Sequence, residues 1–161
     1  MSGFEDFTTL ENLELTMRYR VGVFTIVALA AFLVSYMPVH AGQETTKTVW
    51  DGVYTKAQAQ KGETVYNEKC SKCHGSDASG GDAPSLADSG FAGDWDGLTV
   101  LQLFDRTRSS MPQDAPQSLS REETVSLMAY IFSKNNFPAG EIDLSERGEM
   151  LGTIKYVATK P

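Results

Sequence analysis

The chain has 161 residues, 41% of them hydrophobic and 22% charged, and a net charge of −7. That length suits one small globular domain with a short extra segment. The acidic balance excludes a nucleic-acid binder working through a basic footprint, and the sequence holds no internal repeat, glycine-rich phosphate loop or Ser-His-Asp set.

Residues 1–41 read as a targeting segment. Val21 to Met37 is a 17-residue run without a charge, preceded by Arg18 and Arg20 and followed by Pro38-Val39-His40-Ala41, whose small residues at 39 and 41 suit signal peptidase. Glu5, Asp6, Glu11 and Glu14 make the first 16 residues acidic where a signal wants positive charge, so Met17 is a candidate translation start. The alternative is an uncleaved anchor, for which 17 apolar residues lie at the bottom of the spanning range. Either way the domain is exported. Cleavage after Ala41 leaves 12 Lys+Arg against 17 Asp+Glu, a net charge of −5, and removes His40, so that His74 becomes the only histidine.

Residues 42–54 form a polar lead whose Trp50 and Tyr54 are expected to fold back onto the domain. The main domain is expected over residues 55–137. Its first helix is placed from about Lys56 to Lys69, where Thr55 and Gln58 form a capping box and Ala59, Gly62, Val65 and Tyr66 recur at helical spacing. Gly62 costs that helix about 1 kcal/mol relative to Ala, which implies close approach of another helix.

Next comes Cys70-Ser71-Lys72-Cys73-His74, which holds both cysteines of the chain and one of its two histidines. C-x-x-C-H is the attachment pattern for a c-type haem. Residues three apart on a helical turn face one side. Each thiol can then form a thioether to one vinyl of a single porphyrin, and the following imidazole is carried to the iron. A structural zinc site needs four ligands, and this set is incomplete. A thioredoxin-like redox pair wants a strand-helix-strand setting that the flanking sequence lacks. A plain Cys70–Cys73 disulfide would leave the domain without a core organiser. Without His40 a second axial imidazole is excluded, so the sixth iron ligand is another group or none.

Residues 75–97 are rich in Gly, Asp, Ser and Ala and read as a long ordered loop punctuated by Pro84, Leu86, Phe91 and Trp95. The spacing of Asp77, Asp82, Asp88, Asp94 and Asp96 does not match an EF-hand, so they are read as solvated loop groups. Thr99 and Gln102 open a second helix that ends near Arg108. The proline after Met111 pushes that residue into an extended turn. Ser120 and Glu123 open the last main helix, with Val125, Met128, Ala129 and Phe132 as its apolar stripe. The tail, residues 138–161, carries Leu144, Met150, Leu151, Ile154 and Val157, enough to lie on a surface of its own or a partner's.

The order helix, C-x-x-C-H, loop, helix, Met-Pro, helix resembles the class I c-type cytochromes of the monohaem bacterial kind, over about residues 55–133. The resemblance implies an all-α fold of three main helices and loops around one haem c bound through Cys70 and Cys73. It implies His74 as proximal ligand and Met111 as distal ligand, with Met128 and Met150 as rivals. It implies that the Pro84 carbonyl holds the imidazole, that Leu86 packs on the haem, and that Gly62 and Tyr66 cross the last helix near Ala129 and Tyr130. Trp95 is a looser match to a propionate contact. The function implied is electron transfer, not enzymatic catalysis. The expected protein is a periplasmic one-electron carrier that takes electrons from a dehydrogenase and passes them to an oxidase or another cytochrome of the respiratory chain. The stretches around Trp50-Asp51-Gly52-Val53-Tyr54 and Asn135-Asn136-Phe137-Pro138-Ala139-Gly140 resemble cytochromes found with quinoprotein dehydrogenases. The rival functions are a membrane-anchored subunit of a respiratory complex, if residues 21–37 are retained, and a haem gas sensor or enzyme with a labile methionine. Lys56, Lys61, Lys69 and Lys72 are candidate steering charges for an acidic partner or ordinary solvated helix charges.

Overall fold

A computed structural model describes residues 46–161. The signal or anchor segment and the start at Met17 lie outside the described residues. The described elements are β1 (Lys47–Thr48), α1 (Lys56–Lys69), α2 (Ser71–His74), α3 (Ser89–Trp95), α4 (Val100–Ser110), α5 (Arg121–Lys134), α6 (Gly148–Gly152) and β2 (Ile154–Lys155).

The capping residues set where the main helices begin. Thr99 and Gln102 close a reciprocal box at α4, and Ser120 and Glu123 close another at α5. At α1 only half of the expected box forms. Thr55 Oγ1 accepts from the Gln58 N–H at 3.1 Å, but the Gln58 side chain does not return to the cap. It is buried instead and makes two bonds to Leu144, donating to its carbonyl at 2.9 Å and accepting from its N–H at 2.7 Å. Those bonds satisfy both backbone groups of a buried tail residue.

Helices α1 and α5 cross at Gly62. A Cβ there would lie 1.8 Å from the Ser126 carbonyl oxygen, so only glycine admits this approach. One turn further on, Tyr66 packs on Tyr130 with ring centroids 5.0 Å apart. Every residue of α5 from Thr124 to Phe132 is buried. The apolar stripe read from the sequence is thus the centre of a helix enclosed on all sides.

The lead and the tail pack into the same compact unit as the helices. Val49, Val53 and Tyr54 share a core cluster with Leu144, Leu151, Ile154 and Tyr156, together with Phe104, Met128 and Phe132. Strands β1 and β2 pair in parallel, Lys47 with Ile154 and Thr48 with Lys155, while Thr99 bridges Lys155 from the loop before α4. The Trp50 indole N–H donates to the Val157 carbonyl at 2.8 Å, and the Tyr54 hydroxyl donates to the Phe137 carbonyl at 2.7 Å. The boundaries drawn at residues 54 and 137 therefore run through one core. A second buried cluster joins Tyr66, Ala78, Leu119, Leu127, Tyr130 and Ile131, and Cys70 and Leu86 border it.

Candidate functional site: the C-x-x-C-H turn and its loop

Helix α1 ends at Cys70, whose N–H still bonds the Tyr66 carbonyl at 2.8 Å. Its φ of −124° breaks the helix and starts the single turn α2. The N–H groups of Cys73 and His74 both return to the Cys70 carbonyl, at 3.1 and 3.0 Å. The two cysteines thus sit three apart on one turn and face one side. Both thiols are free; Cys70 is half-buried against the second cluster and Cys73 is exposed.

Gly75, with φ of +80°, reverses the chain after His74, and a side chain there would strike the Gly80 carbonyl oxygen at 2.6 Å. The reversed loop then satisfies the carbonyls that the end of α2 leaves open. Gly80 N–H bonds the His74 carbonyl and Ala83 N–H bonds the Cys73 carbonyl, each at 2.9 Å. The Tyr66 hydroxyl donates to the Gly75 carbonyl, and Asn135 Nδ2 donates to the Leu86 carbonyl at 2.8 Å. The loop is anchored at both ends to the crossing helices.

That anchoring brings the Pro84 carbonyl oxygen to 2.7 Å from His74 Nδ1. A carbonyl oxygen can only accept, so Nδ1 is the donor in this contact, and the neutral ring so held has its lone pair on Nε2. An imidazole oriented in this way through its other nitrogen is what a metal-ligating histidine requires.

Met111 caps the C-terminus of α4. Its N–H still bonds the Thr107 carbonyl at 2.9 Å, while its own backbone is extended, with φ of −120° and ψ of 148°. The chain that follows leads to Leu119, a member of the cluster that Cys70 and Leu86 border. The rival methionines are placed differently. Met128 is fully buried in the first cluster, and Met150 is 47% exposed on α6. Trp95 packs against Phe91 in a tilted pair, with centroids 6.3 Å apart, at the edge of that first cluster. Lys56, Lys61 and Lys72 are exposed, whereas Lys69 pairs with Glu123 at 3.4 Å.

The alternative chemistries fit this turn poorly. Burial pushes the Cys70 thiol up to about 11, against a smaller opposing pull from Lys69. A redox dithiol needs a thiolate of lowered pKa, and Cys70 is shifted the other way. Among the described residues no three His, Cys, Asp or Glu side chains gather as a metal cage. Several loop aspartates are engaged within the protein: Asp77 accepts from Ser79, Asp88 caps α3, and Asp96 accepts from Ala158 N–H.

Sequence reasoning placed Tyr66 at the helix crossing and Gln58 in a capping box, but missed the bonds by which Tyr66, Asn135 and Gln58 hold Gly75, Leu86 and Leu144, because those partners are backbone groups brought near by the fold. The short helix α3 was also missed, although its Asp88 cap was readable in principle.

A mainly helical domain with two free thiols on one turn and an oriented imidazole beside them is built to hold a haem and carry electrons. Residues 57–131 match the family described as cytochrome C oxidase, cbb3-type, subunit III. The chain is also 31% identical over 98 residues to cytochrome c-551 of Bacillus subtilis (strain 168), an alignment that takes in 60% of this chain and 83% of that one. No solved structure matches the chain. This chain belongs to the c-type cytochromes and has the class I cytochrome c fold. It is an electron-transfer protein and not an enzyme, and its cofactor is a covalently bound haem c, for which Cys70 and Cys73 are the only cysteines in the sequence.

Proposed function

We propose that the protein is an exported, periplasmic one-electron carrier whose haem iron is held between His74 and Met111. The observation that carries this reading is the 2.7 Å contact from His74 Nδ1 to the Pro84 carbonyl, which leaves Nε2 free to ligate. When bound, the haem supplies the Fe(III)/Fe(II) couple. The chain's own residues do the rest. Cys70 and Cys73 anchor the ring. The loop to Pro84 fixes the imidazole plane, and Leu86 covers the ring beside it. Met111, on an extended turn between α4 and Pro112, supplies a soft thioether that favours reduced iron and raises the potential. With His74 and Met111 both holding the iron, no position would be left open for a substrate.

The electron donor in this reading is a dehydrogenase, with a quinoprotein as the leading candidate, and the acceptor is an oxidase or another cytochrome of the respiratory chain. Exposed Lys56 and Lys61 on α1 and Lys72 within the haem turn suit an acidic partner surface. The match to the cbb3-type oxidase subunit III family favours a second reading, a cytochrome subunit fixed to a membrane complex by retained residues 21–37. A mature N-terminus at Gly42 would support the soluble carrier, and retention of residues 21–37 would support the subunit.

The ligand assignment is tested on holoprotein made with the c-type maturation machinery. The oxidised protein is expected to show a weak far-red sulfur-to-iron band that Met111→Ala abolishes and Met128→Leu keeps. A band that survives Met111→Ala would remove Met111 from the iron.

A further inference from the structure

Among the described residues the exposed large hydrophobics are Ile142, 76% exposed, and Met150, 47% exposed. Single apolar groups at a surface are ordinary, but both of these stand on one short strap of the tail, residues 141–150. The strap also carries exposed Glu141, Asp143, Glu146 and Glu149 against one cation, Arg147, a net charge of −3. Among the described residues none of these four carboxylates is in a salt bridge, which joins Lys69 and Glu123 instead, and they do not gather as a metal cage. The strap is firmly held. Leu144 is bonded twice to Gln58, and Asp143 accepts from the Thr55 hydroxyl. The Glu146 carbonyl accepts from Arg121 Nε at 3.0 Å. Gly148 lies against the Leu101 side chain, which a Cβ there would meet at 3.6 Å.

Those contacts fall at the caps and first turns of α1, α5 and α4. The strap thus crosses the N-terminal ends of the main helices, while the haem turn follows the C-terminus of α1 and Met111 that of α4. At 1.5 Å per residue, the helix from Gln58 to Cys70 puts about 18 Å between strap and turn, and that from Leu101 to Met111 about 15 Å. Electron transfer weakens steeply with distance, so the strap is not an electron port. A rigid surface with apolar points inside a charged rim has the make-up of a protein interface, and little of it must be ordered on binding. Its sign selects the partner. An anionic membrane would repel it, and two straps face to face would set like charges together. We propose that residues 141–150 are a docking surface for a basic protein, which Ile142 and Met150 contact while the haem turn stays free at the other end of the helices. The proposal goes beyond the ligand assignment and does not depend on Met111.

Photo-crosslinking of the full chain in the cells that produce it tests this. The photoreactive residue p-benzoylphenylalanine takes the place of Ile142, and separately of Met150, and the adducts formed on illumination are identified by mass spectrometry. The same protein is expected at both positions, cross-linked through a basic surface of its own. Glu141→Gln, Glu146→Gln and Glu149→Gln together should cut that adduct about tenfold. Asp94→Asn, Asp105→Asn and Asp114→Asn together, which remove as much charge from exposed positions off the strap, should leave it unchanged. An adduct only with a second copy of this chain, an adduct only with lipid, or no adduct would overturn the proposal. Different proteins at the two positions, or equal loss in the two triple variants, would do the same. The Soret band and the Tm report whether each variant holds its fold. Should the strap variant not fold, Glu141→Gln with Glu149→Gln carries the test, since removing half of the four carboxylates must still lower the yield.

Discussion

Replacing Gly62 with alanine tests how the two main helices are held together. The new methyl would sit 1.8 Å from the Ser126 carbonyl oxygen and 2.4 Å from its carbonyl carbon, both backbone atoms that cannot swing aside. Relief requires α1 and α5 to part by more than about 1 Å, which loosens the Tyr66–Tyr130 contact and the enclosed face of α5. Overpacking of this kind costs up to about 3 kcal/mol, and the gain in helix propensity offsets about 1 kcal/mol. The net loss is about 2 kcal/mol, or a fall in Tm of roughly 8 to 10 °C for a domain of this size. Thermal unfolding of the holoprotein, followed by far-ultraviolet circular dichroism and by the Soret band, measures it. Gly93→Ala is the control, since a Cβ at Gly93 meets nothing within 4 Å, and it should hold or raise the Tm. A Gly62→Ala protein within about 0.5 kcal/mol of the parent would refute the close-approach argument.

Gln58→Ala should cost about 2 to 3 kcal/mol, because it leaves the buried N–H and carbonyl of Leu144 unpaired; denaturant unfolding gives the loss, and faster proteolysis within residues 138–161 would locate it. Tyr66→Phe removes the hydroxyl that holds the Gly75 carbonyl, and is expected to cost about 1 kcal/mol and to speed amide exchange in residues 75–86. Glu123 sits below the ordinary glutamate range of 4.5, chiefly through the Ser120 backbone N–H and then its hydroxyl, with Lys69 assisting. A depressed carboxylate contributes stability that is present above the unfolded pKa and is lost as the pH falls through the folded one. Stability should therefore drop below about pH 4.5, and Glu123→Gln should flatten that part of the pH profile; an unchanged slope would show that the cap does not couple to folding.

The parts of the fold that were legible in the sequence are those fixed by local chemistry. The boxes at Thr99 and Ser120 place α4 and α5 because both partners lie within four residues of each other. Gly62 announced a helix crossing because a glycine inside a helix carries a cost that only proximity explains. The haem turn was legible because its three reactive side chains occupy five consecutive residues. What the sequence hid depends on contacts distant along the chain. Gln58 looks like the second half of a capping box, and only the arrival of Leu144, 86 residues later, draws it away. Strands β1 and β2 have two residues each, too few to show an alternating pattern. Tyr156 reads as part of a polar tail, yet it packs edge-on to Phe137 at 5.2 Å in the core.

The central claim is a haem iron closed on both faces by this chain's own His74 and Met111. The most direct measurement is to mix the reduced holoprotein with carbon monoxide and follow the Soret band. The account predicts no spectral change in the unmutated protein and rapid binding once Met111 is replaced by alanine. Rapid binding by the unmutated protein would contradict it, and would make the iron a ligand-binding site.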